Sequence, residues 1–267
     1  MSSFRLKVAY DGTDFFGSQI QPGRRTVQGE VLRVFGQLAG GENRVTFAGR
    51  SDRGVHAQGQ VAAAFLPNWT RGAAELERAL ASRLPGDIAA SDIEVCPAAF
   101  HPRFDAAWRE YRYWLLTGTR DPRWERFAWS LRSPVDIEKM ASAAVFVAGR
   151  HDFATFASGG DGVPWSARAE QPRGTTRTVY RIDVREREQC SGMPRFVEIR
   201  ITADGFLPRM ARNIIGGLVE IGQGRRAVKW IDELLATRDR RAGPVAAPAH
   251  GLTLWRVGYA NERIEDS

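Results

Sequence analysis

The sequence predicts an α+β protein made of two ferredoxin-like (split βαβ) halves, each with a mainly antiparallel sheet. Three observations predict it. Stretches of alternation, clearest where Phe4, Leu6, Val8 and Tyr10 are interleaved with Arg5, Lys7 and Ala9, have the period of a half-buried strand. Other stretches carry apolar residues three and four apart between cap and stop signals, and read as helices. The two kinds follow one another as β-α-β-β-α-β over roughly the first 100 residues, and strands and helices intermingle again afterwards without an obvious sequence repeat.

The first strand ends at the turn-forming Asp11-Gly12, and Thr13 to Arg25 reads as loop. Thr26 is placed to cap a helix along Val27, Val31, Phe35 and Leu38, which Gly40-Gly41 stops. Asn43 to Ala48 and Gln60 to Phe65 read as a strand pair. Thr70 is expected to cap a second helix ending at Pro85-Gly86, and Ile93 to Pro97 to return as a short strand. His101 to Ala106 reads as a connector, dividing the chain into halves 1–106 and 107–267. In the second half Tyr111, Tyr113 and Leu115 share one side of a strand. A helix along Ile137, Met140, Ala141, Ala144 and Ala148 is expected to end at Gly149. Ser158 to Thr176, rich in Gly, Pro and Arg, reads as a mobile loop able to order on RNA. Val179–Val184 and Phe196–Ala203 read as strands, 208–221 and 227–236 as helices, and 252–257 as a last strand.

The chain has 267 residues, 43% of them hydrophobic, ordinary for a globular protein that needs no staples. Cys96 and Cys190 lie far apart, and neither they nor the four histidines show metal-ligand spacing, so no metal is assigned. The N-terminus lacks a signal-peptide core and no run approaches the ~18 apolar residues of a membrane span, which leads us to expect a cytoplasmic protein without membrane contact. A net charge of +7 favours a polyanionic partner, nucleic acid above all. Only Lys7, Lys139 and Lys229 among 38 basic residues are lysine, so the sign of the charge carries more weight than the number of arginines.

Between the paired strands lies Arg50-Ser51-Asp52-Arg53-Gly54-Val55-His56, with Gly49, Gly54 and Gly59 where positive φ or close backbone approach is expected. A carboxylate beside guanidinium groups stays ionised at neutral pH and is available as a nucleophile. By spacing alone the segment reads more readily as a simple turn, with Asp52 bonding local amides and both arginines in water. Arg50-Ser-Asp-Arg-Gly-Val-His-Ala57 with Gly59-Gln-Val61 resembles the catalytic signature of the TruA family of tRNA pseudouridine synthases. The resemblance extends along the chain, in family order, through Tyr10-Asp-Gly-Thr13, Gly17, Gln19, Arg25-Thr-Val-Gln28, Phe100-His-Pro-Arg103, Tyr111-Arg-Tyr113, Gly149-Arg-His-Asp-Phe153, Phe206-Leu207, Met210, Arg212-Asn-Ile214, Gly243-Pro and Gly251-Leu252. Arg53, where the family usually has a small residue, and Ser18, where it usually has tryptophan, are departures.

The resemblance implies two sheets joined across a basic cleft and a reaction that breaks a uridine's glycosidic bond, turns the base and rejoins it through C5. Such a reaction needs a nucleophile, a proton acceptor and a closed pocket, but no metal or organic cofactor. The resemblance gives Asp52 the nucleophile's place, Arg50 that of the residue that holds it or clamps a phosphate, and Tyr111 that of the ring stacked on the uracil with its hydroxyl near C5. A phenol with a pKa of about 10 is a weak base, so a water relay is an open alternative. Leu252 matches a leucine lining the uracil pocket. Arg209 and Arg212, within a stretch from 209 to 241 holding eight basic residues against four acidic ones, are expected on an RNA-facing groove, and Gln19 and Arg24-Arg25 to grip RNA too. The implied substrate is tRNA, at positions 38 to 40 of the anticodon stem-loop, and the implied assembly a homodimer. The alternative is a non-catalytic tRNA-binding module whose Arg53 and Ser18 mark a decayed active site. A zinc deaminase would need Cys-x-x-Cys and His-x-Glu patterns that this chain lacks.

Overall fold

A computed structural model describes residues 2–158, 174–187, 195–260 and 262–264. Most of the segment read as a mobile loop (159–173), and Cys190, lie outside them. The elements run β1 (Ser2–Tyr10), α1 (Val27–Ala39), β2 (Arg44–Phe47), β3 (His56–Leu66), α2 (Ala73–Arg83), β4 (Ile88–Val95), β5 (Ala106–Thr117), β6 (Trp129–Leu131), α3 (Ile137–Ala144), β7 (Gly149–Asp152), β8 (Thr176–Glu186), β9 (Arg195–Ala203), α4 (Met210–Gly222), α5 (Trp230–Thr237) and β10 (Leu252–Tyr259). They form two compact units, Met1–Ala107 with Thr253–Ser267, and Trp108–Leu252. The fold is mixed α+β with mostly antiparallel strands.

In the first unit β4, β1, β3 and β2 lie side by side in that order, every pairing antiparallel. One edge of β3 is shared: β2 covers Ala62 to Phe65, while β10 runs parallel beside His56 and Ala57. The core takes Phe4, Leu6 and Val8 from β1 and Val27, Val31, Val34 and Phe35 from α1. Phe4, Leu6 and Val8 match the alternation, and Val27, Val31 and Phe35 the helical spacing; Val34 joins them, while Leu38 is half-buried. Thr26 caps α1, its hydroxyl accepting from the Gly29 amide, and Gly40 ends it at φ +60°.

Three expectations need correction here. Gly72, not Thr70, is the N-cap of α2, and no side chain caps it. β4 starts at Ile88 rather than Ile93, because Tyr10 recruits Ile88 as its ladder partner across Asp87. Helix α3 stops at Ala144 and passes into a short 3-10 turn; Gly149, at φ +106°, opens β7 instead of closing the helix.

The second unit has β5, β9, β8 and β7 in antiparallel sequence, with β6 parallel to the end of β5. Tyr113 and Leu115 of β5 and Val197, Ile199 and Ile201 of β9 are buried, as is the Met210, Ile214, Leu218, Ile221 stripe of α4. The opposite face of the two strands is also buried, and it is ionic. Arg112 bridges Glu110 at 2.7 Å and Glu198 at 3.2 Å, and Glu198 also meets Arg187. Charges taken out of water need such pairing to avoid an uncompensated penalty.

Candidate active site

The loop carrying Asp52 leaves β2 at Phe47 and is pinned at both ends. The Ala48 amide donates to the Val61 carbonyl at 2.8 Å, and Gln60 Nε2 to the Gly49 carbonyl at 2.9 Å. At the far end the Val55 amide closes a tight turn onto the Asp52 carbonyl at 3.2 Å, with Gly54 at φ +79°. Of the three loop glycines, Gly54 needs positive φ and Gly59 sits against the Trp255 carbonyl, while Gly49 needs neither.

A second loop holds the turn from the side. The Ser18 amide donates to the Ser51 carbonyl (3.2 Å) and the Ser51 amide to the Ser18 hydroxyl (2.9 Å). Ser51 Oγ also lies 2.8 Å from the Tyr10 hydroxyl, and Ser18 and Ser51 are both buried. Burial pushes the Tyr10 phenol above its ordinary value, with the hydroxyl and amide neighbours Ser51, Gln60 and Ser18 pulling the other way. Gly17 makes the approach possible. It stands at φ +86°, and a Cβ there would lie 2.6 Å from the Ser51 carbonyl oxygen. Gly12 is equally tight, its missing Cβ 2.0 Å from the Val55 oxygen, and its amide donates to His56 Nδ1 at 3.0 Å. His56, buried and beside Asp11, is therefore part of the scaffold.

Phe16, Gln19, Ile20, Gln21, Arg50, Ser51, Asp52 and Arg53 line an open pocket of about 400 Å³. Asp52 and Arg50 are exposed to it. The Arg50–Asp52 pair that the resemblance implied is not among the ion pairs of the described residues; Arg50 lies close enough to Arg103 that, after burial, its charge is the second influence holding the Arg103 guanidinium below its ordinary value. Arg53, part of that lining, sets its guanidinium 4.4 Å from the centre of the Phe16 ring. Gln19 reaches the pocket as expected. Arg25 does not line it: its guanidinium binds Asp87 at 2.7 and 3.0 Å and Glu30 at 3.1 Å, and stacks on Phe15. Its role here is to anchor the first loop.

In the second unit Tyr111 is half-buried on β5, with Phe206 edge-on at 4.8 Å. Tyr113 is different. It is fully buried, its hydroxyl donates to the Pro248 carbonyl at 2.9 Å, and burial pushes its phenol well above the ordinary value, with Arg212 acting in the opposite sense. Gly251 packs against that ring, and Leu252 follows it, buried. Arg212 projects from α4, its Nε donating to the Ala247 carbonyl at 2.7 Å, so it braces the 247–252 segment. Arg209 is exposed at the start of α4 in a left-handed conformation, φ +60°.

The basic stretch from 209 to 241 offers fewer unengaged charges than its composition suggests. Arg226 pairs with Glu220, Arg238 with Asp152 and Arg241 with Asp239, while Arg240 binds Asn213 and the Pro244 carbonyl. Arg209, Arg225 and Lys229 make no ion pair among the described residues. Sequence reading missed Phe16 and Gly12 as parts of the site, and its only signal for Phe16 was an aromatic pair close to Arg24-Arg25. Among the described residues no cluster of His, Cys, Asp or Glu could hold a metal ion, and no helix is long and apolar enough to cross a membrane.

An exposed carboxylate on a braced turn, in a pocket that Arg50 and Arg53 help to line, makes a candidate site for chemistry on a base. Residues 7–105 and 143–260 match the family model described as tRNA pseudouridine synthase. A tRNA pseudouridine synthase A from Halalkalibacterium halodurans is 38% identical over 270 residues, covering 100% of this chain and 96% of its own length. That of Geobacillus kaustophilus is 39% identical over 263 residues (97% and 95% covered), and that of Thermosipho africanus 37% over 257 (96% and 99%). The chain belongs to the tRNA pseudouridine synthase family. With that membership it is an isomerase of uridine in RNA.

Proposed function

We propose that this chain converts uridine to pseudouridine in the anticodon stem-loop of tRNA, with Asp52 as nucleophile. The observation that carries the reading is the placement of Asp52 on a braced turn, exposed to a pocket within the size range of small-molecule sites. A target base in a duplex must leave the stack, at roughly a few kcal/mol, and phosphate contacts offset that cost. Arg50, exposed in the lining of the pocket, supplies one such contact or positions the extruded nucleotide. Tyr111 stacks on the uracil, with the Phe206 edge fixing its ring, and Leu252 supplies apolar lining. Arg209 and Gln19 bind RNA directly, while Arg212 and Arg25 act through the segments they brace.

The finer architecture follows the same reading. The antiparallel order β4-β1-β3-β2 with α1 and α2 supports a ferredoxin-like first half, and β5-β9-β8-β7 with α3 and α4 supports a related second one. A cytoplasmic homodimer is part of the proposal. Two tests apply. Purified protein incubated with uridine-labelled tRNA, with no added metal or nucleotide, should form pseudouridine, and no product would refute the activity. Light scattering should give twice the 29.7 kDa chain mass, and a monomer that is fully active would refute the dimer.

A further inference from the structure

Arg53 is exposed at the turn that carries Asp52, and its guanidinium carbon lies 4.4 Å from the centre of the Phe16 ring. Arg24, exposed on the neighbouring loop, lies 4.5 Å from the same centre. A half-buried aromatic ring thus collects two cations from two loops, at the rim of the Asp52 pocket. Each guanidinium is attracted to the ring's electron-rich face, but the two repel one another. Among the described residues neither has a carboxylate within ion-pairing distance, in contrast to Arg25 next door, which has two. Contact with the ring does not consume the N–H donors of either fork, so they stay available to an acceptor.

An unneutralised pair of forks beside a site for a flipped base fits a backbone phosphate, because a phosphate cancels the repulsion and accepts bidentate hydrogen bonds from either fork. We propose that Arg53 and Arg24, aligned on Phe16, bind an RNA phosphate next to the target nucleotide and so set how the flanking strand enters the Asp52 pocket. The proposal rests on the reading of Asp52 as the catalytic residue. It gives Arg53 a substrate-positioning role, with its guanidinium held against Phe16 at the wall of the pocket.

The test uses the full chain and a full-length transcribed tRNA with uridine label. Arg53→Ala, Arg24→Ala and Arg53→Lys are compared with the wild type for KM, kcat and the salt dependence of tRNA binding. Loss of one phosphate contact should raise KM roughly tenfold while kcat stays within about twofold. It should also flatten the slope of log K against log salt by about 0.7 to 0.9. Lysine at position 53 should keep the slope and recover only part of the affinity, since it keeps charge but not the planar stack. An Arg53→Ala protein with wild-type KM and slope would overturn the proposal, as would weakened binding with an unchanged slope, which would mean a loop disturbance. If the wild type makes no pseudouridine, the reading of Asp52 fails, and the salt slopes still decide whether Arg53 meets a phosphate.

Discussion

Gly17→Ala should slow the reaction by displacing Asp52 without touching it. The alanine Cβ would sit 2.6 Å from the Ser51 carbonyl oxygen, whereas ordinary contact begins near 3.4 Å, so one loop has to yield by about 0.8 Å. That oxygen belongs to the residue before Asp52 and accepts the Ser18 amide, so the movement goes directly into the turn that carries Asp52. Misplacement on the order of 1 Å costs about 100-fold in rate. If the loops resist, the cost appears as instability: about 1–2 kcal/mol for a side chain at φ +86° and about 1–3 kcal/mol for overpacking. Single-turnover pseudouridine formation and thermal melting, measured on the same preparation, separate the two. Gly224→Ala is the matched control, because Gly224 is also left-handed (φ +72°) but faces open space, so it should lose only about 1 kcal/mol and keep full activity. Wild-type rate and melting in Gly17→Ala would refute the claim that residue 17 sets the position of the turn.

Other consequences are as direct. Ser18→Ala removes the acceptor for the buried Ser51 amide and should destabilise by about 1–3 kcal/mol in denaturant melts, with a proportionate loss of activity. Gly251→Ala drives a Cβ to 2.5 Å from Tyr113 Cζ and should cost about 1–3 kcal/mol or more, read as a lower midpoint with a shifted tyrosine spectrum. Tyr10 and Tyr113 are both pushed up by burial, so the neutral phenols stabilise the fold fully below the unfolded-state pKa of about 10, and that contribution is lost as pH rises through the folded values. Ultraviolet titration should therefore show Tyr10 and Tyr113 ionising late, together with alkaline unfolding; ionisation of both near pH 10 in folded protein would contradict their burial.

Much of this was legible in the sequence where local signals are strong. The alternation of β1, the Thr26 cap and the Gly40 stop of α1, and the Met210 stripe of α4 are properties of short windows, and the structure repeats them. What was not legible depends on distant partners. β4 begins at Ile88 because β1 is there to pair with it, although Ile-Ala-Ala-Ser has little strand character of its own. The parallel pairing of Thr253 and Leu254 with His56 and Ala57 joins segments nearly 200 residues apart, and no window contains both. At the site, Asp52, Arg50 and Gln19 stood out by motif. That Ser18 would act as a hydrogen-bonded brace, that Arg25 would be spent on Asp87 and Glu30, and that Arg53 would lie on Phe16 depended on contacts between loops.

The most direct measurement is conversion of uridine-labelled tRNA by Asp52→Asn and Asp52→Ala beside the wild type, with tRNA affinity determined for each. An amide keeps the size and local bonding of the side chain but is no nucleophile, so both variants should bind tRNA as the wild type does and yield no pseudouridine above background. Product formed by the asparagine variant at the wild-type rate would contradict the assignment of Asp52.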